Sequence, residues 1–215
     1  MAALLFIGAL SVAILLFYRA APAPGFFWFT CSWLTGTGSL ALSGFFNATD
    51  AVPSRFVIVL AGAILYGVFC FKLAEHEKPS PDRLMAMHLV RLPVEIVLYL
   101  LYLDRQVPLI MTFAGWNFDV LVPLSCMLIL ALRTAGTGNS RLLLICWNLA
   151  GMLLLLWIVL IAILSSPLPF QQLAFDQPNM AVMQFPYVWL PAGLVPLIFV
   201  SHLLAIKTLL RSRNR

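Results

Sequence analysis

The sequence predicts an all-α, polytopic transmembrane helical bundle of about seven spans. Of its 215 residues 62% are hydrophobic and only 10% are charged, and the mean hydropathy is +0.99. A water-soluble domain of this size needs no such excess of apolar residues. About 20 residues at 1.5 Å per residue cross a hydrocarbon core of about 30 Å, and the apolar runs reach this length. A membrane β-barrel would alternate apolar and polar residues instead.

Seven apolar runs follow one another in a single transmembrane domain, residues 1–215, with no soluble module between them. The runs cover residues 2–18, 26–46, 56–73, 84–103, 108–132, 142–164 and 187–210. We expect the first run to be a retained span and not a cleaved signal peptide. No positive residue precedes it, and Arg19 follows it.

Helix-breaking residues interrupt two of these runs. Asn117 and Asp119, among other polar residues, lie inside the fifth run, so its helix either starts near Asn117 or is a broken helix that begins earlier. Pro191 and Gly193 predict a kink or a partly unwound stretch in the last run. The loop 165–186 is apolar and rich in proline. It either caps an outward-facing cavity or lies in the membrane interface.

The basic residues indicate the orientation of the bundle. With a cytoplasmic C-terminus, all of the 13 Lys and Arg residues except Arg55, Arg91 and Arg105 fall in inner segments. Inner loops of membrane proteins carry such an excess. The inner residues are Arg19, Lys72, Lys78, Arg83, Arg133, Arg141, Lys207, Arg211, Arg213 and Arg215. The sequence therefore predicts an N-out, C-in topology, with membrane lipid and not nucleic acid as the partner of these charges.

A polar stripe runs along the fourth predicted span. His88, Arg91, Glu95, Tyr99 and Tyr102 fall within an arc of roughly 80° at about 100° per residue. A charged side chain at the bilayer centre costs about 2.5 to 3.5 kcal/mol even on lenient scales, so Arg91 and Glu95 must face protein or water. They lie one helical turn apart and can neutralise each other. Because ionisable groups inside a membrane usually serve function, we favour a functional pair over a purely structural one.

Estimated depths suggest partners for this stripe on other spans. Four residues lie roughly 6 to 12 Å from the cytoplasmic side and are expected to share one layer: His88, Arg91, Asn148 and His202. Glu95 lies about 12 Å from the outer side. Asp119 lies about 16 Å deep if its helix begins at the start of the run, and much shallower if it begins near Asn117. If Glu95 and Asp119 meet, one carboxyl should hold a proton, with Arg91 as the shared counter-charge.

These observations predict a small membrane carrier or ligand-binding protein, with proton coupling and with a polar cavity for a small solute or a proton. The candidate binding residues are Arg91, Glu95, Asp119, His88, His202, Asn148, Tyr99 and Asn117. One alternative is a b-type haem redox subunit, since two histidines on different spans, His88 and His202, are the minimum for bis-imidazole ligation. Another is an accessory or assembly subunit without chemistry of its own.

Motifs for an enzyme or a metal site are missing from the sequence. It contains no HExxH, GxSxG, paired-aspartate or P-loop pattern, and its four cysteines have no metal-ligand spacing. No catalytic residue and no metal ligand is therefore predicted.

Several segments resemble a group of small bacterial multi-pass membrane proteins of uncharacterised function. They are Arg91-Leu92-Pro93-Val94-Glu95, Met111-Thr112-Phe113-Ala114-Gly115-Trp116-Asn117-Phe118-Asp119, Trp189-Leu190-Pro191 and Ser201-His202-Leu203. The resemblance extends over residues 84–210. It implies a multi-pass protein of the bacterial inner membrane and draws attention to the same polar positions, but it brings no activity with it.

Overall fold

The computed structural model describes residues 1–49, 51–137 and 140–211. Within these ranges the chain forms seven helices joined by turns and short 3₁₀ segments, and it contains no strand. The helices are α1 (Ala2–Ala20), α2 (Phe26–Leu42), α3 (Val57–Ala74), α4 (Pro81–Leu103), α5 (Leu121–Thr134), α6 (Arg141–Leu164) and α7 (Leu190–Arg211). The predicted all-α class is confirmed.

Five of the seven helices are long and apolar enough to cross a membrane: α1, α3, α4, α6 and α7. Large apolar side chains point outward from them, as Ile64 and Leu65 on α3 do, with 68% and 70% of their surface exposed. Such a surface is suited to acyl chains, not to water. Helices α2 and α5 have 17 and 14 residues, which gives lengths of about 26 and 21 Å.

The fifth predicted run, 108–132, is helical only in its second part. Helix α5 begins at Leu121, and the segment before it contains two 3₁₀ turns, Leu109–Met111 and Phe118–Val120. Of the two interpretations that the sequence allowed, the late start is correct. The Asn117 side chain accepts a hydrogen bond from the N–H of Asp119 and caps the second turn.

The run 26–46 was also predicted too long. Helix α2 ends at Leu42, and Gly44 follows with a φ of 73°. Glycine adopts this left-handed conformation without the steric cost that other residues meet, and it often ends a helix.

The irregular segment before α5 satisfies its own polar backbone. The N–H of Gly115 donates to Thr112, the N–H of Trp116 donates to Ile110, and the Trp116 carbonyl accepts from the Trp157 indole at 3.0 Å. Non-helical backbone is tolerated at membrane depth only where protein or a cavity supplies such partners.

Helix α7 begins with a π-helical turn, Leu190–Leu194, where the sequence predicted a kink or an unwound stretch. The carbonyl of Ala192 in this turn accepts a hydrogen bond from the Trp33 indole at 2.8 Å. A side chain of α2 therefore satisfies a polar group of the irregular turn.

The loop 165–186 folds back onto the ends of α4 and α6. The N–H of Asn179 donates to the carbonyl of Ser165 at 2.8 Å, and the Gln177 side chain donates to the carbonyls of Tyr102 and Val107 at 3.0 and 2.6 Å. This loop is therefore tied to the body of the protein.

Polar contacts join six helix ends on one face of the bundle. Four contacts make this connection: Arg83 to the Arg19 carbonyl, Arg133 to Asp82, Lys207 to Glu75, and Arg141 to the Leu210 carbonyl. The basic residues predicted to be inner thus gather at one end, whereas Arg105 follows the opposite end of α4. Arg213 and Arg215, predicted for the same face, lie outside the described residues.

Glu75 is the acidic centre of this face. One carboxylate oxygen pairs with Lys207, and the other lies 3.4 Å from both Lys72 Nζ and His76 Nε2. The hydrogen bond from the Lys207 ammonium holds the pKa of Glu75 below its usual value of 4.5. Glu75 therefore remains ionised in the folded protein at acidities that protonate an unpaired glutamate.

Replacing Gly115 with alanine should destabilise the fold. The added Cβ would lie 2.3 Å from the carbonyl oxygen of Leu109 and 2.7 Å from the Cα of Ile110. Both are backbone atoms, so we expect a loss of about 1 to 3 kcal/mol, measured by unfolding in detergent micelles. The control is Gly36→Ala on α2, where an added Cβ meets no atom within 4 Å. Equal stability of the two variants would contradict this account of the segment.

The Glu75 interaction predicts a pH dependence. Because its pKa is lower in the folded state, its stabilising effect is present above the unfolded-state pKa and is lost as the pH falls through the folded-state value. Glu75→Gln should therefore lower the melting temperature at pH 7, with the difference disappearing in acid. Glu77→Gln removes the same charge two residues away and serves as the control. A pH-independent difference for Glu75→Gln would argue against the ion pair.

Candidate functional site

The buried ion pair of Arg91 and Asp119 is the centre of the candidate site. Nε of Arg91 donates to Oδ2 of Asp119 at 2.7 Å, and Nη2 contacts Oδ1. Two parallel bonds of this kind fix both the position and the orientation of the groups. Arg91 is 2% exposed. The partner is therefore not Glu95, which the one-turn separation on α4 had suggested.

Asn117 connects the second carboxyl to this pair. Its Nδ2 donates to both carboxyl oxygens of Glu95, at 2.9 and 2.7 Å, and to the carbonyl of Met111 at 3.1 Å. Its Oδ1 accepts from the N–H of Asp119 at 3.0 Å. The Asn117 side-chain amide thus caps the 3₁₀ turn Phe118–Val120 and links the Glu95 carboxyl to the backbone of Asp119.

The hydrogen bonds determine the tautomer of His202. A guanidinium only donates, so Nε2 of His202, 3.3 Å from Nη1 of Arg91, is the acceptor. The ring proton then lies on Nδ1 and is donated to Oδ1 of Asn148 at 2.8 Å. Nδ2 of Asn148 donates in turn to the Leu144 carbonyl, which is consistent with this amide orientation. His202 is therefore neutral in this arrangement.

His88 stacks on His202 and has one polar atom without a partner. The ring centroids are 3.8 Å apart, and the planes differ by 22°. The Ser201 hydroxyl donates to the Ile198 carbonyl, so its oxygen accepts from Nε2 of His88 at 3.4 Å. Nδ1 of His88 is buried and has no hydrogen-bond partner among the described residues.

We refer to these residues as the polar network: His88, Arg91, Glu95, Asn117, Asp119, Asn148, Ser201 and His202. They come from α4, from the irregular segment before α5, from α6 and from α7. All of them are buried. The network therefore joins four parts of the chain across the interior of the bundle.

Local breaks in the helices position these side chains. His88 lies on the 3₁₀ turn Met87–Val90 within α4, and Arg91 follows it directly. Asp119 lies on the 3₁₀ turn that precedes α5. These tighter turns rotate the side chains relative to a continuous α-helix. The regular 100° spacing of the predicted stripe therefore holds from Arg91 to Tyr102 and does not extend back to His88.

Seven of the eight candidate residues from the sequence meet in the network, and Tyr99 does not. Its half-buried ring packs against Phe113 and Tyr102, with centroids 4.9 and 6.0 Å away. In the described part of the chain, Tyr99 makes ring contacts and no hydrogen bond to the network. The stripe thus divides into a polar part, from His88 to Glu95, and an aromatic part, Tyr99 and Tyr102.

Sequence reasoning missed Gly151, and it named Ser201 only within the segment Ser201-His202-Leu203 of the resemblance. A Cβ added to Gly151 would lie 2.6 Å from Cε1 and 2.8 Å from Nε2 of His202, so only glycine lets the imidazole approach α6 this closely. Gly151 follows Asn148 by three residues and therefore shares its helix face. This three-residue spacing from Asn148 is the sequence signal that could have identified Gly151.

The histidine pair does not fit a haem. In bis-imidazole ligation the macrocycle lies between the two rings, and each ring directs a nitrogen at the iron. Here the rings of His88 and His202 are stacked against each other, and Nε2 of His202 accepts from Arg91. The arrangement leaves no space for a porphyrin between them.

Metal binding finds little support in the same residues. Across residues 1–49, 51–137 and 140–211, no group of three or more His, Cys, Asp or Glu side chains is arranged to hold a metal ion.

The polar network is closed in this structure, because each of its residues is at most 5% exposed. Two surface grooves lie along α1 and the first part of α4, and neither is lined by a residue of the network. Access to Arg91 or Glu95 therefore requires movement of the surrounding helices or of the irregular segment.

Known proteins give no further guidance: no protein-family model, curated protein or solved structure matches this chain. The resemblance to small bacterial membrane proteins thus stays a prediction.

Removing one member of the ion pair should cost more than removing both. Arg91→Leu leaves the Asp119 carboxylate buried without a cation, and we expect a loss of about 3 to 5 kcal/mol. Arg91→Leu combined with Asp119→Leu should recover most of this loss, because apolar packing can replace a buried pair. The measurement is unfolding in micelles.

The matched control is the pair of Arg133 and Asp82 on the face that carries the basic helix ends, where the Asp82 side chain is 62% exposed. Arg133→Leu should cost less than about 1 kcal/mol. A double Arg91 and Asp119 variant that is as unstable as the single variant would contradict the assigned pairing.

Proposed function

We propose that the protein is a small proton-coupled membrane carrier whose polar network binds the proton or a small solute. One observation carries the proposal: the polar network contains two buried carboxyls and one guanidinium, and only Asp119 is paired with that guanidinium. Asp119 occupies two donors of Arg91, and Glu95 is left with the Asn117 amide. An uncompensated buried carboxylate is costly, so Glu95 holds a proton in the closed network. Buried ionisable groups of this kind mark proton pathways in transporters.

The irregular backbone beside the network supports a carrier. The 3₁₀ turn of α4 and the π-helical turn of α7 interrupt otherwise regular helices, and an irregular segment precedes α5. Broken helices at mid-membrane form the binding sites of many secondary transporters, and they move more readily than continuous helices. In this proposal the closed network is the occluded state, and Glu95 changes its protonation when the network opens.

The topology belongs to the same proposal. We propose seven crossings, in which the shorter α2 and α5 complete the five longer helices, with the N-terminus outside and the C-terminus inside. The gathering of Arg19, Arg83, Arg133 and Arg141 at one end supports this orientation through the positive-inside rule. A bacterial inner membrane is the proposed location.

An accessory or assembly subunit is the second candidate. It is favoured by the closed state of the network, since all of its residues are buried. In that case the polar network only holds the helices together. The double variant Arg91→Leu with Asp119→Leu should then still bind the protein that the subunit assembles with.

The carrier proposal predicts a flux that depends on Glu95. Wild-type protein in liposomes should move protons, detected by an internal pH-sensitive dye, when a gradient of a transported solute or a membrane potential is applied. Glu95→Gln removes the exchangeable proton and keeps the shape, so the proton flux should fall about tenfold or more. Unfolding measurements on the same samples establish that the variant remains folded.

Glu77→Gln, in the inner loop, is the matched control and should transport as the wild type does. An equal flux in Glu95→Gln and wild type would overturn the role of Glu95. No flux of protons, ions or solutes under any gradient would overturn the carrier and leave the accessory subunit.

A further inference from the structure

Two surface grooves form one continuous groove along α1 and the first part of α4. The first has a volume of about 450 Å³ and is lined by Leu16, Arg19, Arg83 and Ala86. The second has a volume of about 510 Å³. The two share Leu16 and Ala86 as lining residues, so they meet end to end.

The first groove is positively charged at the membrane surface. Nη1 of Arg83 donates to the carbonyl of Arg19 at 2.7 Å, which holds the two arginines side by side at the end of α1. In the described part of the chain neither guanidinium has a carboxylate within ion-pair distance. The neighbouring Asp82 is paired with Arg133 instead. Two exposed arginines are thus free to bind an external anion.

The second groove is apolar along its whole length. It is lined by Leu4, Leu5, Gly8, Ala9, Val12, Leu16, Ala86, Leu89, Val90 and Pro93. From Leu4 to Leu16 the α1 wall rises about 18 Å at 1.5 Å per residue, which is close to one leaflet of the roughly 30 Å hydrocarbon core. A Cβ added to Gly8 meets no atom within 4 Å, so open space lies above this residue.

We propose that this continuous groove is a binding site for one anionic phospholipid. The arginines bind the headgroup phosphate, and one acyl chain lies in the apolar groove. Arginine suits phosphate because its planar fork donates two hydrogen bonds to an oxyanion. Basic pockets between membrane helices on the cytoplasmic side bind anionic lipid headgroups in this way. A soluble phosphate would use only the charged end, whereas a phospholipid matches both ends. The site is separate from the polar network and does not depend on the carrier proposal.

The headgroup contact is tested with lipids that differ only in charge. The full-length protein in detergent is incubated with phosphatidylglycerol or with phosphatidylcholine of the same acyl chains, and bound lipid is counted by native mass spectrometry. Wild type should retain one phosphatidylglycerol several-fold more strongly than phosphatidylcholine. Arg19→Gln combined with Arg83→Gln should remove this preference. Arg105→Gln, which removes one positive charge beyond the opposite end of α4, should keep it.

The acyl-chain contact is tested with a substitution that fills the groove. Gly8→Leu places a side chain in the open space and should reduce retention of both lipids, and it favours the helix because leucine has the higher helix propensity. Gly36→Leu on α2, where an added Cβ also meets no atom within 4 Å, is the control and should retain lipid as the wild type does.

Three outcomes would overturn the proposal. The first is equal retention of the two lipids by the wild type. The second is an unchanged preference in the double arginine variant. The third is full displacement of phosphatidylglycerol by inorganic phosphate with no effect of Gly8→Leu, which would indicate an anion site without an acyl-chain groove.

Discussion

The guanidinium of Arg91 fixes the irregular segment that precedes α5. A charge buried in a membrane protein must meet an opposite charge or a set of hydrogen-bond acceptors, since lipid supplies neither. Asp119 meets this need with two parallel bonds, and it does so from a 3₁₀ turn and not from a regular helix. The position of the turn then determines where α5 starts and brings Asn117 to Glu95.

The breaks in the helices and the polar network depend on one another. Each break frees backbone groups, and nearby side chains satisfy them: the Trp33 indole binds the Ala192 carbonyl in the π-helical turn, and the Trp157 indole binds the Trp116 carbonyl. In return, the 3₁₀ turns that carry His88 and Asp119 place these side chains in the network. This dependence suits the proposed carrier, because movement of a broken helix would rearrange the hydrogen bonds of Glu95 without unfolding the bundle.

The face that carries the basic helix ends has a different polar chemistry from the interior of the bundle. Its charges are partly exposed and several are paired, as in Lys207 with Glu75 and Arg133 with Asp82. Such pairs contribute little stability individually, and here they connect neighbouring helix ends on one face. Arg19 and Arg83 lack carboxylate partners among the described residues and lie above an apolar groove. These are the features on which the proposed lipid site depends.

Hydropathy in the sequence determined the membrane class, the helical fold and the five longer helices, because the cost of burying polar groups in lipid is local to each run. It also marked the residues that needed partners, among them Arg91, Glu95 and Asp119. Only the tertiary structure decided the pairing: Arg91 and Asp119 are 28 residues apart, and no local spacing relates them. The helix start at Leu121 and the close approach of His202 to Gly151 were likewise decided by hydrogen bonds and packing between distant segments. Hydrophobic periodicity in the sequence predicts which face of a helix is polar. Tertiary packing determines which residues that face contacts.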